Sequence, residues 1–335
     1  MKFGTAIVNG EPMVGLAVDN GQGFCPLPAL YQQAALGDAP ESVKQLIAGG
    51  EATLAVARQA HAFAHEKSNA ALTLPCDELT WCAPVPDTQT VLGVAMNNAA
   101  LSANAHVEPE GPMFFVKPTA SLIGHGQAIE IAPHYGFTFP ELELAIIIGK
   151  HTKNISEAAA LSHVFGYTIM NDVTSQGLKR GDSIAVDLAP GRKHTPGYES
   201  YFNWRNVDGE EDNAVFFTYH ARSKGSDTFG PIGPWITTAD AIDDPDNLGV
   251  RGYADGALFA EDSTASYNYK VAHIIAHASR NFTLRAGDII ACGTAAQGTP
   301  EYPRAHHDID MSLSTPVVEI EIDGLGKIAN PVKHV

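Results

Sequence analysis

The sequence is short of cysteine, of positive charge and of long apolar runs, and each shortage argues against a class of function. Its four cysteines, Cys25, Cys76, Cys82 and Cys292, are scattered and form no C-x-x-C pair. That speaks against a disulfide framework and leaves buried free thiols in a reducing compartment as the reading. Lys and Arg number 21 against 38 Asp and Glu, a formal net charge of -17. Nucleic acid and anionic membranes both select for Lys and Arg, so neither is expected as a partner. A small anionic substrate remains open, because one metal ion and one or two local cations can set the field of a pocket. No apolar run approaches the roughly 20 residues of a membrane span. The start, Met1-Lys2-Phe3-Gly4-Thr5, lacks the apolar segment of a secretory signal. These readings point to the cytoplasm. Nor is there a G-x-G-x-x-G, a P-loop, an H-E-x-x-H or a G-x-S-x-G, so nucleotide-dependent and serine-hydrolase chemistry lack support.

What is present is an ordinary globular balance, 44% hydrophobic and 18% charged over 335 residues, enough for one large domain or a large and a small one. Near the start, short apolar runs alternate with turn signals, and Asn9-Gly10 between two of them predicts a hairpin. Val43, Leu46 and Ile47 have helical spacing, and Ala-rich text follows to residue 71. Pro75, Pro84 and Pro86 make 75–87 read as a linker. The expectation is a small N-terminal α+β unit over 1–85 and a β-rich domain over 86–335, α+β in class. Helices are expected at 156–163 and 267–279. Residues 181–213 are long, polar and rich in Gly and Pro, as inserted loops and lids usually are.

The strongest chemical signal is Pro140-Glu141-Leu142-Glu143-Leu144-Ala145-Ile146-Ile147-Ile148-Gly149. A strand repeats every two residues, so Glu141 and Glu143 face the same way. The apolar run after them predicts a strand buried on both faces. Two carboxylates at the mouth of such a strand repel one another and lose hydration, so one must protonate unless a cation joins them. A second strand-like run, 165–170, ends in Asn171-Asp172 and offers a third carboxylate. Three carboxylates with no thiol suit Mg²⁺, Mn²⁺ or Ca²⁺ better than zinc or copper. Lys224 lies in a Gly- and Pro-rich stretch read as a loop, Arg222-Ser223-Lys224-Gly225-Ser226-Asp227-Thr228-Phe229-Gly230-Pro231-Ile232-Gly233-Pro234-Trp235, and would supply a fixed cation. The i, i+4 pairs His61/His65 and His273/His277 read as structural, and Arg304-Ala305-His306-His307-Asp308 as a surface loop.

Taken in order, P-E-L-E-L-A-I-I-I-G, F-G-Y-T-I-M-N-D-V-T-S, K-G-S-D-T-F-G-P-I-G-P-W, the Leu284–Thr294 stretch L-R-A-G-D-I-I-A-C-G-T and V-V-E-I-E-I-D-G-L-G resemble the signatures of the fumarylacetoacetate hydrolase superfamily. The resemblance covers about residues 90 to 335, and its specificity lies in the set, not in any one motif. It implies a mixed β-roll-like catalytic domain, usually a homodimer, behind a small N-terminal unit. It further implies Glu141, Glu143 and Asp172 as metal ligands, Lys224 as the cation beside substrate, and Thr294 as a contact to a substrate carboxylate or carbonyl. The activity it implies first is hydrolysis of a C–C bond in a 1,3-dicarbonyl or acylpyruvate-type 2-oxo acid. Dehydration, decarboxylation or tautomerisation of a 2-oxo acid is the alternative, and a non-catalytic metal-binding homologue the third reading.

The sequence departs from that pattern in two places. Where hydrolases of the family carry a water-activating His and Glu, this chain has Leu101 and Asn104, neither able to take a proton near neutral pH. His106, with Glu108 and Glu110 nearby, is the candidate substitute. After Asp172, Gln176 stands in place of an Arg and Lys179 in place of a substrate-side Gln. Both become candidate substrate contacts. The 181–213 insert could add Arg192, His194, Glu199 or Tyr201, of which Tyr201 is retained as a candidate contact.

Overall fold

The computed structural model describes residues 1–66, 71–103, 109–187 and 214–335. It is a strand-rich α+β structure. The larger sheet runs, in spatial order, through Leu74–Pro75, Gly23–Pro26, Glu11–Val18, Lys2–Val8, Gly230–Thr238, Val164–Asn171, Leu142–Ile148, Ile289–Ala295, Val91–Ala95 and Met113–Val116. A second, five-stranded sheet holds Ala257–Ser263, Gly249–Ala254, Val317–Ile322, Gly326–His334 and Ile129–Ile131.

The expected hairpin at Asn9-Gly10 is present: Val8 pairs with Glu11. Both turn residues have positive φ, 54° and 87°, the backbone of a type I′ turn, which suits Asn-Gly. Strands of the first 85 residues extend the same sheet as the rest of the chain, since Phe3 pairs with Ile236 and Gly4 with Trp235. The stretch read as a linker contributes too. Trp81 pairs with Ala6 and is buried against Phe24 and Trp235; burial of one large aromatic outweighs the turn tendency of the prolines around it.

The run after Glu143 is buried on both faces, as its continuous apolar text predicts. Leu142, Leu144, Ile146 and Ile148 join one core cluster, and Ala145 and Ile147 join another. Each fully buried Leu or Ile contributes about 1.5–3 kcal/mol, so this strand is a firmly packed support for a site at its end. The helix Val271–Asn281 lays Val271, Ile274, Ile275 and Ala278 on the first cluster, the i, i+3, i+4, i+7 stripe of a half-buried helix.

One expectation needs correcting. The Gly- and Pro-rich text at 230–235 is not loop but part of a wholly buried central strand, Gly230–Thr238. Its partner register shifts between Tyr167 and Ile169, an irregularity of the kind at which a sheet accepts Pro. The start of the 181–213 insert pairs with the residues just after it as an antiparallel ribbon, Ser183 with Thr218 through Asp187 with Ala214.

Candidate metal centre

Three acidic side chains from two adjacent strands meet at one end of the larger sheet. Leu142 pairs with Asn171, which brings Glu141 beside Asp172. The Asp172 N–H donates to the Glu141 carbonyl at 3.0 Å, and the Asn171 side chain accepts the Glu141 N–H at 3.0 Å. Asn171 therefore fixes the backbone that carries the first acid. Carboxylate oxygens of Glu141, Glu143 and Asp172 all lie within 4.8 Å of one another. Glu143 is 1% and Asp172 0% exposed.

Two lysines enter the same cluster. The Lys224 ammonium lies on the short helix Ala221–Gly225. It donates to Asp172 Oδ2, to Thr174 Oγ1 at 2.8 Å, and pairs with Glu141 Oε1 at 3.1 Å. Thr174 passes its own proton to Glu141 Oε1 at 2.6 Å. Phe115 lies 4.9 Å from the Lys224 ammonium, a cation–π contact. Gly93 leaves room for that ring, since a Cβ there would fall 2.1 Å from it.

The second lysine, Lys117, was not among the sequence candidates. It is 2% exposed and donates to Asp172 Oδ1 at 2.7 Å and to the Lys224 carbonyl. A single lysine before a proline, in Val116-Lys117-Pro118, gives little warning of this. The only signal was its place directly after the strand Met113–Val116, at the edge of a sheet whose strand ends carry the acids.

Three carboxylates thus face two ammonium groups in a largely buried site, and the imbalance falls on Glu143. Burial, then the charges of Asp172 and Glu141, push its pKa well above the ordinary carboxylate value, against Lys224 and the Gly293 N–H that it accepts. Burial would also raise Asp172, but Lys117 and Lys224 together hold it below its usual value. The lysines shift in opposite directions. Burial lowers Lys117, whose one carboxylate partner does not fully offset it. Burial works on Lys224 too, but Asp172, Glu141 and Glu143 hold it above the ordinary lysine value. A hard divalent cation is what this donor set lacks: all-oxygen, carboxylate-rich and one positive charge short. The residues fit such an ion.

A pH dependence follows from Glu143. In the metal-free protein it keeps a proton that the unfolded chain releases at an ordinary carboxylate pKa. Its contribution to stability is therefore complete below that value and is lost as pH rises towards the raised one. An ion needs the carboxylate, so binding expels the proton. Calorimetric Mg²⁺ titrations are expected to show affinity rising with pH above the ordinary carboxylate range, by up to about tenfold per unit for one proton. Proton release should appear when buffers of different ionisation enthalpy are compared. Affinity independent of pH across that range would mean that Glu143 is already ionised.

Of the other candidates, Thr294 is buried at the site, but its hydroxyl is engaged, accepting the Leu142 N–H at 3.0 Å and donating to the Ala295 carbonyl at 3.1 Å. Gln176 and Lys179 lie on the helix Gln176–Gly181, and Lys179 has no ion-pair partner among the described residues. Leu101 lies in the short helix Ala99–Ser102. His106 and Tyr201, with Asn104, Glu108, Arg192, His194 and Glu199, lie outside the described residues. His61 and His65 face each other through their Nε2 atoms, 3.2 Å apart, and His273 stacks on His277; among the described residues neither pair joins the three acids. The 304–308 segment is not the surface loop expected, because His306 is 2% exposed and both histidine rings pack on Phe139.

A strand-rich α+β fold with a buried site of three carboxylates and two lysines, able to hold a hard cation, defines the class. The profile of the family described as fumarylacetoacetate (FAA) hydrolase, C-terminal, matches residues 90–333. The chain belongs to that family. Among its relatives is oxaloacetate tautomerase FAHD2B, mitochondrial, of Bos taurus, 30% identical over 329 residues, covering 96% of this chain and 87% of that protein. Oxaloacetate tautomerase fahd2, mitochondrial, of Xenopus laevis is 29% identical over 325 residues, 96% of this chain and 86% of that one. Among solved structures, the fumarylacetoacetate hydrolase of Exiguobacterium antarcticum superposes with a TM-score of 0.69 at 26% identity, over all of both chains. The family's members thus include hydrolases and tautomerases. Among the described residues no helix is long and apolar enough to cross a membrane.

Proposed function

We propose that this protein is a metal-dependent tautomerase of a small 2-oxo dicarboxylic acid, interconverting its keto and enol forms. The buried cluster of Glu141, Glu143, Asp172, Lys117 and Lys224 carries this reading, since its polarity suits charge growing on a substrate oxygen. Leu101, at the position where hydrolases of the family hold a water-activating histidine, favours proton transfer over water attack. So do the two tautomerases aligned over nearly the whole chain. The expectation of a C–C hydrolase accordingly becomes the second reading.

Glu141, Glu143 and Asp172 would hold the ion, Mg²⁺ first and Mn²⁺ or Ca²⁺ next. When bound, it supplies Lewis-acid polarisation of the 2-oxo group, a contribution of several kcal/mol. Lys224, fixed by Asp172, Thr174 and Glu141, holds positive charge where the enolate oxygen develops; such fixed charge needs no reorganisation during reaction. Lys117 keeps Asp172 ionised and in place. Lys179, without a described carboxylate partner, suits the far carboxylate of the substrate, with Gln176 beside it. Thr294 fixes the end of the acid-bearing strand through Leu142 and orients the backbone that the substrate meets. Tyr201 and His106 remain candidate contacts of this reading, as do the 1–85 and 86–335 division, a lid role for 181–213, a homodimer and a cytoplasmic location.

The test is a panel of enol-oxaloacetate, acylpyruvates and 2-keto-3-deoxy sugar acids with Mg²⁺, followed by enol absorbance and product mass. Metal-dependent loss of enol absorbance without change in mass is the expected result. Gain of water with chain cleavage would establish the hydrolase instead, and loss of water or CO₂ a lyase. No turnover on any of them would leave a binding homologue.

A further inference from the structure

The 304–308 segment belongs to a connection that is built, not slack. Arg304 donates its backbone N–H and its Nε to the Asp308 carboxylate at 2.9 and 2.8 Å. The Met311 N–H donates to the Thr138 carbonyl at 2.8 Å, and Ala305, Ile309 and Met311 are buried in the main core. Ala305 holds φ at 51°, a left-handed conformation rare outside Gly and a few polar residues. The turn is therefore fixed by what surrounds it.

That turn sets two imidazoles against Phe139. The ring of His306 lies 5.4 Å and that of His307 4.6 Å from the Phe139 ring, centre to centre, and the two imidazoles are 4.2 Å apart. Phe139 precedes Pro140-Glu141 and pairs with Thr174, the residue bonded to both Glu141 and Lys224. The histidines thus lean on the same small ribbon that orients the acids. His306 is 2% exposed, and its Nδ1 is buried with no hydrogen-bond partner among the described residues. A buried polar atom left unpaired is costly, and an apolar residue at this position would avoid it.

We propose that His306 and His307 are the proton-transfer pair of this site, with His307 as the base and His306 as its positioning residue. The inference rests on the tautomerase reading and supplies the base that Leu101 cannot. His307 takes a proton from C3 of the 2-oxo acid. The C–H electron pair becomes the C2–C3 double bond, and the carbonyl π pair moves onto oxygen. That oxygen then receives a proton from the imidazolium, and net composition is unchanged. The charged groups whose fields act on His307 are Glu141, Arg304, Asp308 and Lys179, and the His306 ring lies against it. Burial lowers its pKa first, while Glu141 opposes the shift, and the net direction favours the neutral ring that can accept a proton. His306, pushed down to about 3 by burial and by His307 and Lys224, stays neutral and cannot compete for the proton.

The experiment pairs two readouts on wild type and His307→Gln. The first is Mg²⁺-dependent deuterium exchange of the C3 protons of pyruvate, followed by NMR. The variant is expected to lose at least about a hundredfold, the usual scale of a general base, with Mn²⁺ affinity by EPR unchanged. An equal exchange rate in both proteins overturns the proposal. The second is the ring signal of His307, assigned by its loss in the variant, on adding Mg²⁺ and oxalate. A shift in its position and titration midpoint is expected. If the signal does not respond, His307 does not face the site and the proposal falls, whatever the activity. If it responds while the wild type exchanges nothing, the tautomerase reading fails and the placement of the pair stands.

Discussion

Glu143→Gln is expected to abolish turnover while leaving the metal-free fold at least as stable as the parent. The two halves come from one cause. Glu143 is fully buried among like charges, which pushes its pKa well up and favours the protonated acid when no ion is present. The amide is nearly the same shape as that protonated acid. Its carbonyl oxygen can still accept the Gly293 N–H, now made to Glu143 Oε2 at 2.9 Å, and its NH₂ can donate towards Glu141 or Asp172. Nothing in the apoprotein is left unpaired. An ion, however, loses one anionic ligand of three. Losing the Lewis-acid contribution is expected to reduce turnover by about a thousandfold, equivalent to about 4 kcal/mol, and to abolish calorimetric Mg²⁺ binding at millimolar concentration. Thermal unfolding in EDTA supplies the control. A variant that unfolds far below the parent would mean that Glu143 is ionised in the apoprotein and structurally paired; one that keeps activity would remove it from the ligand set.

Lys117→Met is expected to have the reverse signature, a loss of stability that metal repairs. Lys117 and Asp172 are both about 1% exposed at their side chains, joined at 2.7 Å. Removing one partner of a buried pair leaves an uncompensated charge and costs about 3–5 kcal/mol. The lower end applies, because Lys224 still holds the other Asp172 oxygen. The carbonyl of Lys224 loses a donor as well. Urea unfolding in EDTA should thus show a drop of about 3 kcal/mol. Saturating Mg²⁺ should recover more stability in the variant than in the parent, since the ion replaces the missing positive charge and binds only the folded state. A drop below about 1 kcal/mol, the scale of an exposed pair, or no extra recovery with metal, would show that Lys117 is not part of the charge balance.

These predictions also mark what the sequence could and could not convey. The acid pair was legible because a two-residue period and an unbroken apolar run are local properties, and Glu141 and Glu143 needed no partner to be noticed. Asp172 was legible for the same reason, at the end of a buried strand. Lys117 was not, since its ammonium meets a carboxylate 55 residues further along the chain and nothing near Pro118 signals that. Thr174 and Asn171 look like ordinary strand-end polar residues until Leu142 pairs with Asn171. The text at 230–235 misled because Gly and Pro mark turns by local preference, while here a central strand absorbs them through a register shift. His306 and His307 misled in the opposite sense. Their neighbours Arg304 and Asp308 are polar, and Arg304 is exposed, but tertiary packing on Phe139 turns the rings inward.

The proposed chemistry requires a divalent ion seated among Glu141, Glu143 and Asp172. The direct measurement is anomalous scattering from a crystal grown or soaked with Mn²⁺. One strong peak per chain, between those three carboxylates and beside the Lys224 ammonium, is the result expected. An empty cluster with Glu143 still protonated against Gly293, or manganese held only elsewhere, such as at His61 and His65, would contradict it.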